Sequence, residues 1–184
     1  MGPHAVTYYA LAVALLGLLF AGFYSQRKSI KLSDRGWEDL LSHMQVVNTA
    51  GLTAVAMDYL NPPQHQTSLQ PRELWKLVGA YDGLSRMRAN ADLMLALAAH
   101  AAIWNFEEAT IVAERMRRDA LRLRRSVLKI EVGFLPIAVF RHFYVRTPFH
   151  IQEAAAAYYL MRQRLLALYA ATHSARYPIL AAVL

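Results

Sequence analysis

Apolar and polar positions fall in long blocks along this chain, and most blocks keep a helical period. Residues 5–24 contain no charged side chain. Twenty residues rising about 1.5 Å each match the roughly 30 Å hydrocarbon core of a bilayer. Tyr8, Tyr9 and Tyr24 stand near the ends of this run, where amphipathic rings favour the headgroup zone. The pattern predicts a membrane-spanning helix. A cleaved secretory leader begins with positive charge and has a shorter apolar core, whereas Met1-Gly2-Pro3-His4 holds neither Lys nor Arg. Ala10, Ala14, Gly17 and Ala21 share one face of the helix, a stripe of small residues that lets two such helices approach closely. The abundance of Ala and Gly in membrane segments is the simpler account of that stripe.

Beyond the anchor, the pattern predicts one long helix over residues 34–60. Ser33 or Asp34 caps it and Asn61-Pro62-Pro63 ends it. It turns apolar on most sides after Ala50, which places it near the centre of the domain. A loop follows to Gln70. Pro71 suits the first position of the next helix, and Asp82-Gly83 is a point of interruption or weakening. Gly79 and Gly83, four apart, admit a close neighbour or mark a helix boundary. Residues 93–106 are apolar except for His100 and Asn105, too short a run for a second span, and they read as a buried central helix. No break separates them from the charged stretch that follows, so residues 90–132 read as one long helix, closed by Gly133 and Pro136. A short helix is expected near 137–144. Thr147-Pro148 opens a last helix to about His173, and the apolar tail 179–184 either docks on the domain or touches the membrane.

The fold class is therefore all-α: a single transmembrane helix and a bundle of about four or five helices with one long central helix. The divisions are a membrane helix (5–24), a basic juxtamembrane segment (25–33) and a helical cytoplasmic domain (34–184). Sparse Val, Ile and Thr beside plentiful Ala, Leu, Arg and Met agree with this class. Orientation follows from Arg27, Lys28, Lys31 and Arg35, which flank the apolar run on one side only. The positive-inside rule puts the N-terminus outside and residues 25–184 in the cytoplasm.

Charge concentrates in one place. Ala109, Val112, Met116, Ala120, Leu123, Val127, Ile130 and Phe134 recur at spacings of three and four, a heptad-like apolar seam with one stutter. On the same helix Arg115, Arg118, Arg122, Arg125 and Lys129 fall within an arc of about 80°, nearly opposite the seam. Most of the net charge of +7 sits there, and 16 of the 20 basic residues in the chain are Arg. Three readings stand. The stripe is a solvated face, helped by Glu114–Arg118 and Arg115–Asp119 pairs at i,i+4 spacing. Or it meets anionic headgroups, where each basic residue contributes about 1 kcal/mol. Or it meets an acidic protein partner. Nucleic acid is disfavoured, because no binding motif is present and no aromatic residues interleave with the stripe.

Catalytic signatures are missing from the sequence. There is no cysteine, which excludes disulfides, thiolate catalysis and Cys-ligated metals. No phosphate-binding glycine loop, dinucleotide fingerprint, HExxH or GxSxG occurs, nor the Glu-x-x-His of di-iron bundles. His100, alone in an apolar run, is the one candidate cofactor ligand, although a hydrogen-bonded core histidine is the commoner outcome. His142 and His150 flank Thr147-Pro148 without a third metal ligand. Asp92, Glu107, Glu108, Glu114 and Glu153 act as an acid–base pair only if folding unites them. Phe134, Phe140, Phe143, Tyr144 and Phe149, with Arg141 and Arg146, form an interfacial patch or pack around a bend. No catalytic residue, metal site or cofactor is assigned.

The expected function is that of a membrane-anchored interaction or scaffold protein, more a binding protein than an enzyme, with the Arg-rich helix toward anionic lipid or an acidic partner, or engaged in self-association. A cofactor- or lipid-binding accessory subunit of a larger membrane complex is the alternative, and an enzyme of unfamiliar type the third.

Overall fold

A computed structural model describes residues 35–61, 69–103, 106–133 and 147–184. All regular elements among them are helices: α1 (Trp37–Ser42), α2 (Thr49–Leu60), α3 (Pro71–Val78), α4 (Ala80–Ala101), α5 (Phe106–Gly133), α6 (Thr147–Thr172) and α7 (Tyr177–Val183). The all-α class holds, with seven described helices where four or five are expected. Residues 36–184 form one compact unit. No described helix is long and apolar enough to cross a membrane. The segment read as an anchor, the small-residue face Ala10, Ala14, Gly17 and Ala21, and the basic flank Arg27, Lys28 and Lys31 lie outside the described residues. Arg35 is described and exposed.

The helix expected over 34–60 is two helices. The chain between them, residues 44–48, satisfies its backbone outside any helix. Asn90 of α4 accepts from the Gln45 N–H at 2.9 Å and donates Nδ2 to the Gln45 carbonyl at 2.7 Å. Arg86 donates to the Val46 carbonyl at 3.1 Å. Two side chains from α4 thus replace the intrahelical bonds that would have carried α1 into α2. Asn48 then caps α2, accepting from the Gly51 N–H at 3.0 Å. Gly51 is required there: a Cβ would stand 2.4 Å from the Leu77 carbonyl oxygen.

Pro71 opens α3 as expected, and Glu73 accepts from the Gln70 N–H at 3.3 Å. The interruption comes at Gly79, earlier than Asp82-Gly83. Gly79 has φ +82° and Ala80 has φ +56°, and this left-handed pair separates α3 from α4. The helix expected over 90–132 is also two. It stops at Ala101, turns through Ala102 and Ile103, and resumes at Phe106.

The centre of the bundle is α6. Its Ala154, Ala155, Ala156 and Ala157 are buried, as are Tyr158, Met161, Leu165 and Tyr169. Small side chains in succession let neighbours approach on several sides, and α2, α3, α4 and α5 all pack on α6. The long helix α5 therefore lies beside the centre, and α2 packs against it without forming it. Tyr169 Oη donates to the Leu97 carbonyl at 3.0 Å, Asn90 Nδ2 to Tyr158 Oη at 3.2 Å, and Gln152 to Asp58 at 2.7 Å. The apolar tail docks on the domain: Leu180 and Leu184 are buried, and Arg162 Nε donates to the Leu184 carbonyl at 3.0 Å.

Candidate functional site

The seam on α5 faces inward. Ala109, Met116, Ala120, Leu123, Val127 and Ile130 are buried and Val112 is half-buried, while Phe134 lies outside the described residues. With that side committed to α4 and α6, the opposite side of α5 must face outward. Arg115, Arg118, Arg122, Arg125 and Lys129 are all exposed on it.

Two features of this face were not legible as charge spacing. The first is apolar: Ile111 is 53% exposed, Leu121 48% and Leu128 50%. Placed at 100° per residue, Leu121 and Leu128 border the basic arc and Ile111 lies within it. The second is its poor neutralisation. Glu114 serves both Arg117 and Arg118, each at 3.5 Å. Arg124 reaches instead to Asp92 of α4. Arg115, Arg125 and Lys129 have no carboxylate partner among the described residues.

Asp119 breaks the stripe in an unexpected way. The expected Arg115–Asp119 pair is not formed. Asp119 is 3% exposed and points into the α5–α6 contact, where it pairs with Arg164 of α6 and stands 3.8 Å from Arg122. Burial lowers the pKa of Arg164 below the ordinary guanidinium value, and the nearby charge of Arg115 lowers it further. Four guanidiniums, from Arg115, Arg118, Arg122 and Arg164, and the one carboxylate of Asp119 line a common hollow of about 240 Å³. Sequence reasoning missed Arg164. Its signal was weak, since α6 carries two cations, Arg162 and Arg164, and only the packing separates them.

The remaining candidates are dispersed. His100 is half-buried near the C-terminal end of α4, with a partner of its own. His150 is buried and lies 3.5 Å from Glu153, while Ser126 donates to the same carboxylate at 2.6 Å. That order, hydroxyl to carboxylate to imidazole, does not activate the serine, since a nucleophilic triad needs the imidazole against the hydroxyl. It serves as a polar tie between α5 and α6, which run antiparallel because Asp119 meets Arg164 and Ser126 meets Glu153. Asp92, Glu114 and Glu153 are each engaged with different partners, and Glu107 and Glu108 are exposed on the first turn of α5. Among the described residues no three His, Asp or Glu side chains gather to hold a metal ion. Phe149 is half-exposed, edge-on to Tyr59 at 5.7 Å. His142, Phe140, Phe143, Tyr144, Arg141 and Arg146 lie outside the described residues. No protein-family model, curated protein or solved structure matches the chain.

Proposed function

We propose that this is a membrane-anchored helical interaction protein whose outer α5 face lies on an anionic bilayer surface. Residues 5–24 are its membrane helix, the N-terminus is outside, and residues 25–184 are cytoplasmic. One observation carries the reading: exposed Leu121 and Leu128 accompany a basic face that the protein leaves largely unneutralised. A face kept only for solvation usually mixes signs. Interfacial helices combine Leu with Lys and Arg, burying the first and pairing the second with headgroup phosphates. Arg115, Arg125 and Lys129 together contribute about 3 kcal/mol near an anionic surface, at about 1 kcal/mol each. Burying the exposed halves of Leu121 and Leu128 adds about 1 kcal/mol apiece. An acidic protein partner with an apolar interface core would answer the same features, and it would bind this face without regard to lipid charge.

The absence of cysteine makes a direct test simple. Leu128→Cys carries a single spin label in the full chain, reconstituted into phosphatidylcholine vesicles with and without phosphatidylglycerol. The label should become accessible to oxygen and shielded from an aqueous nickel chelate only with the anionic lipid. Arg125→Gln with Lys129→Gln should reverse most of that change. Equal aqueous accessibility in both vesicles would return the face to ordinary solvation.

A further inference from the structure

Beside the outer face of α5 runs a groove shared with α6. Toward the start of α5, Ile111 and Val112 face Ala167, Leu168 and Ala171 across a furrow of about 290 Å³ that is apolar along its length, with Glu108 at its far end. Positions 108, 111, 112 and 115 form one stripe on α5, and 164, 167, 168 and 171 form one on α6. The furrow thus extends about two turns, roughly 11 Å. Buried Leu168 lies at its base, and Ile111, Ala167 and Ala171 are exposed along it.

The furrow ends at charge. Arg115 and Arg164 line both the furrow and the neighbouring hollow, whose other walls are Arg118, Arg122 and Asp119. Asp119 offsets one of the four cations, and Glu114, 3.5 Å from Arg118, offsets a second. With Arg117, which shares Glu114, and Glu108 of the furrow counted in, five guanidiniums and three carboxylates leave two positive charges. A phosphomonoester carries about −1.5 to −2 near neutral pH and offers three acceptor oxygens. Guanidinium forks match those oxygens in pairs. A zwitterionic headgroup brings its own cation to a site already crowded with them.

We infer that this groove binds a lipid with a phosphomonoester headgroup, of the phosphatidic acid class, its phosphate among Arg115, Arg118, Arg122 and Arg164 and an acyl chain in the furrow. The inference rests on the proposed membrane location for its source of lipid. Its binding chemistry is separate, because it needs one lipid molecule and no bilayer surface.

The test uses the full chain in neutral detergent with a phosphatidic acid probe bearing a photoreactive group on its acyl chain. Labelling should map to the furrow, at Ile111, Val112, Ala167, Leu168 or Ala171. Unlabelled phosphatidic acid should compete, and phosphatidylcholine should not. Arg115→Gln should cut labelling about tenfold, the loss of one charge-assisted contact of about 1.5 kcal/mol. Ala167→Trp, at an exposed position, should block the furrow and abolish labelling. Labelling spread over the surface, or equal labelling by a phosphatidylcholine probe, would overturn the inference. So would competition by glycerol phosphate as effective as that by the lipid, which would identify a site for free phosphate. The two proposals fail separately. Arg125→Gln with Lys129→Gln should move the Leu128 label and leave crosslinking intact, whereas Ala167→Trp should do the reverse.

Discussion

Replacing Asp119 with Asn removes one negative charge from the α5–α6 contact without changing side-chain volume. The Asp119 side chain is 4% exposed, Arg164 31% and Arg122 64%. Removing one partner of a fully buried pair costs about 3–5 kcal/mol, because the other charge is stranded away from water. Arg164 is not fully stranded, since it keeps about a third of its surface, and the contribution of Arg122 is largely screened. The expected destabilisation is therefore about 2 kcal/mol. Urea unfolding of the full chain in neutral detergent, followed by circular dichroism, measures it. A cycle with Arg164→Met isolates the pair, and its coupling energy should be about 1–2 kcal/mol. Ligand binding should move the opposite way. The hollow gains one unit of positive charge, so labelling by the phosphatidic acid probe should rise while stability falls. Additive single mutants would refute the pair as a tie between the helices. Stability and labelling falling together would assign Asp119 to organising the arginines and not to limiting their charge.

Two other perturbations test the packing that holds this surface in place. Burial pushes the Tyr169 hydroxyl up to about 12 from its ordinary value of 10.0. A raised folded-state value means stability is complete below about pH 10 and is lost as pH climbs toward 12, by about 2–3 kcal/mol. Tyr169→Phe should be about 1 kcal/mol less stable at neutral pH, having lost the bond to the Leu97 carbonyl, and should show a shallower alkaline decline in urea midpoints. Asn90→Ala removes both bonds to the Gln45 backbone and leaves the buried Tyr158 hydroxyl without its amide partner. It should cost about 2–3 kcal/mol and speed amide exchange across residues 44–48 well before it affects α5.

The sequence made some elements legible and concealed others for identifiable reasons. The α5 seam could be read because its period is local: each residue three or four places on meets the same neighbours. Pro71 likewise announced α3 by a rule that acts within one turn. The break between α1 and α2 could not be read, because its cause is Asn90, a residue far along the chain whose amide takes over the Gln45 backbone groups. Gly79 and Gly83 look alike in the sequence, since composition does not say which glycine adopts positive φ. In the site, the five stripe residues followed from angle alone. Arg164 did not, because its meaning depends on the antiparallel pairing that sets it against Asp119.

That pairing also relates the two proposed binding modes. Around α5, at 100° per residue, the exposed face from Leu128 to Arg115 covers about 140°. The wall of the groove, from Arg118 to Val112, covers about 120°, and the two arcs overlap by about 60°. Ile111, Arg115, Arg118 and Arg122 belong to both. A lipid held by these arginines therefore lies on the flank of the same surface that would rest on the bilayer, and it need not be carried across the protein to reach its site. Only Arg164 and the α6 wall distinguish the groove from the face. The charge of Arg125 and Lys129, with Leu121 and Leu128, distinguishes the face from the groove. A helix with a merely solvated exterior requires neither set, and the independence of the two sets in mutagenesis is what separates a docking surface carrying a specific lipid site from a general affinity for negative charge.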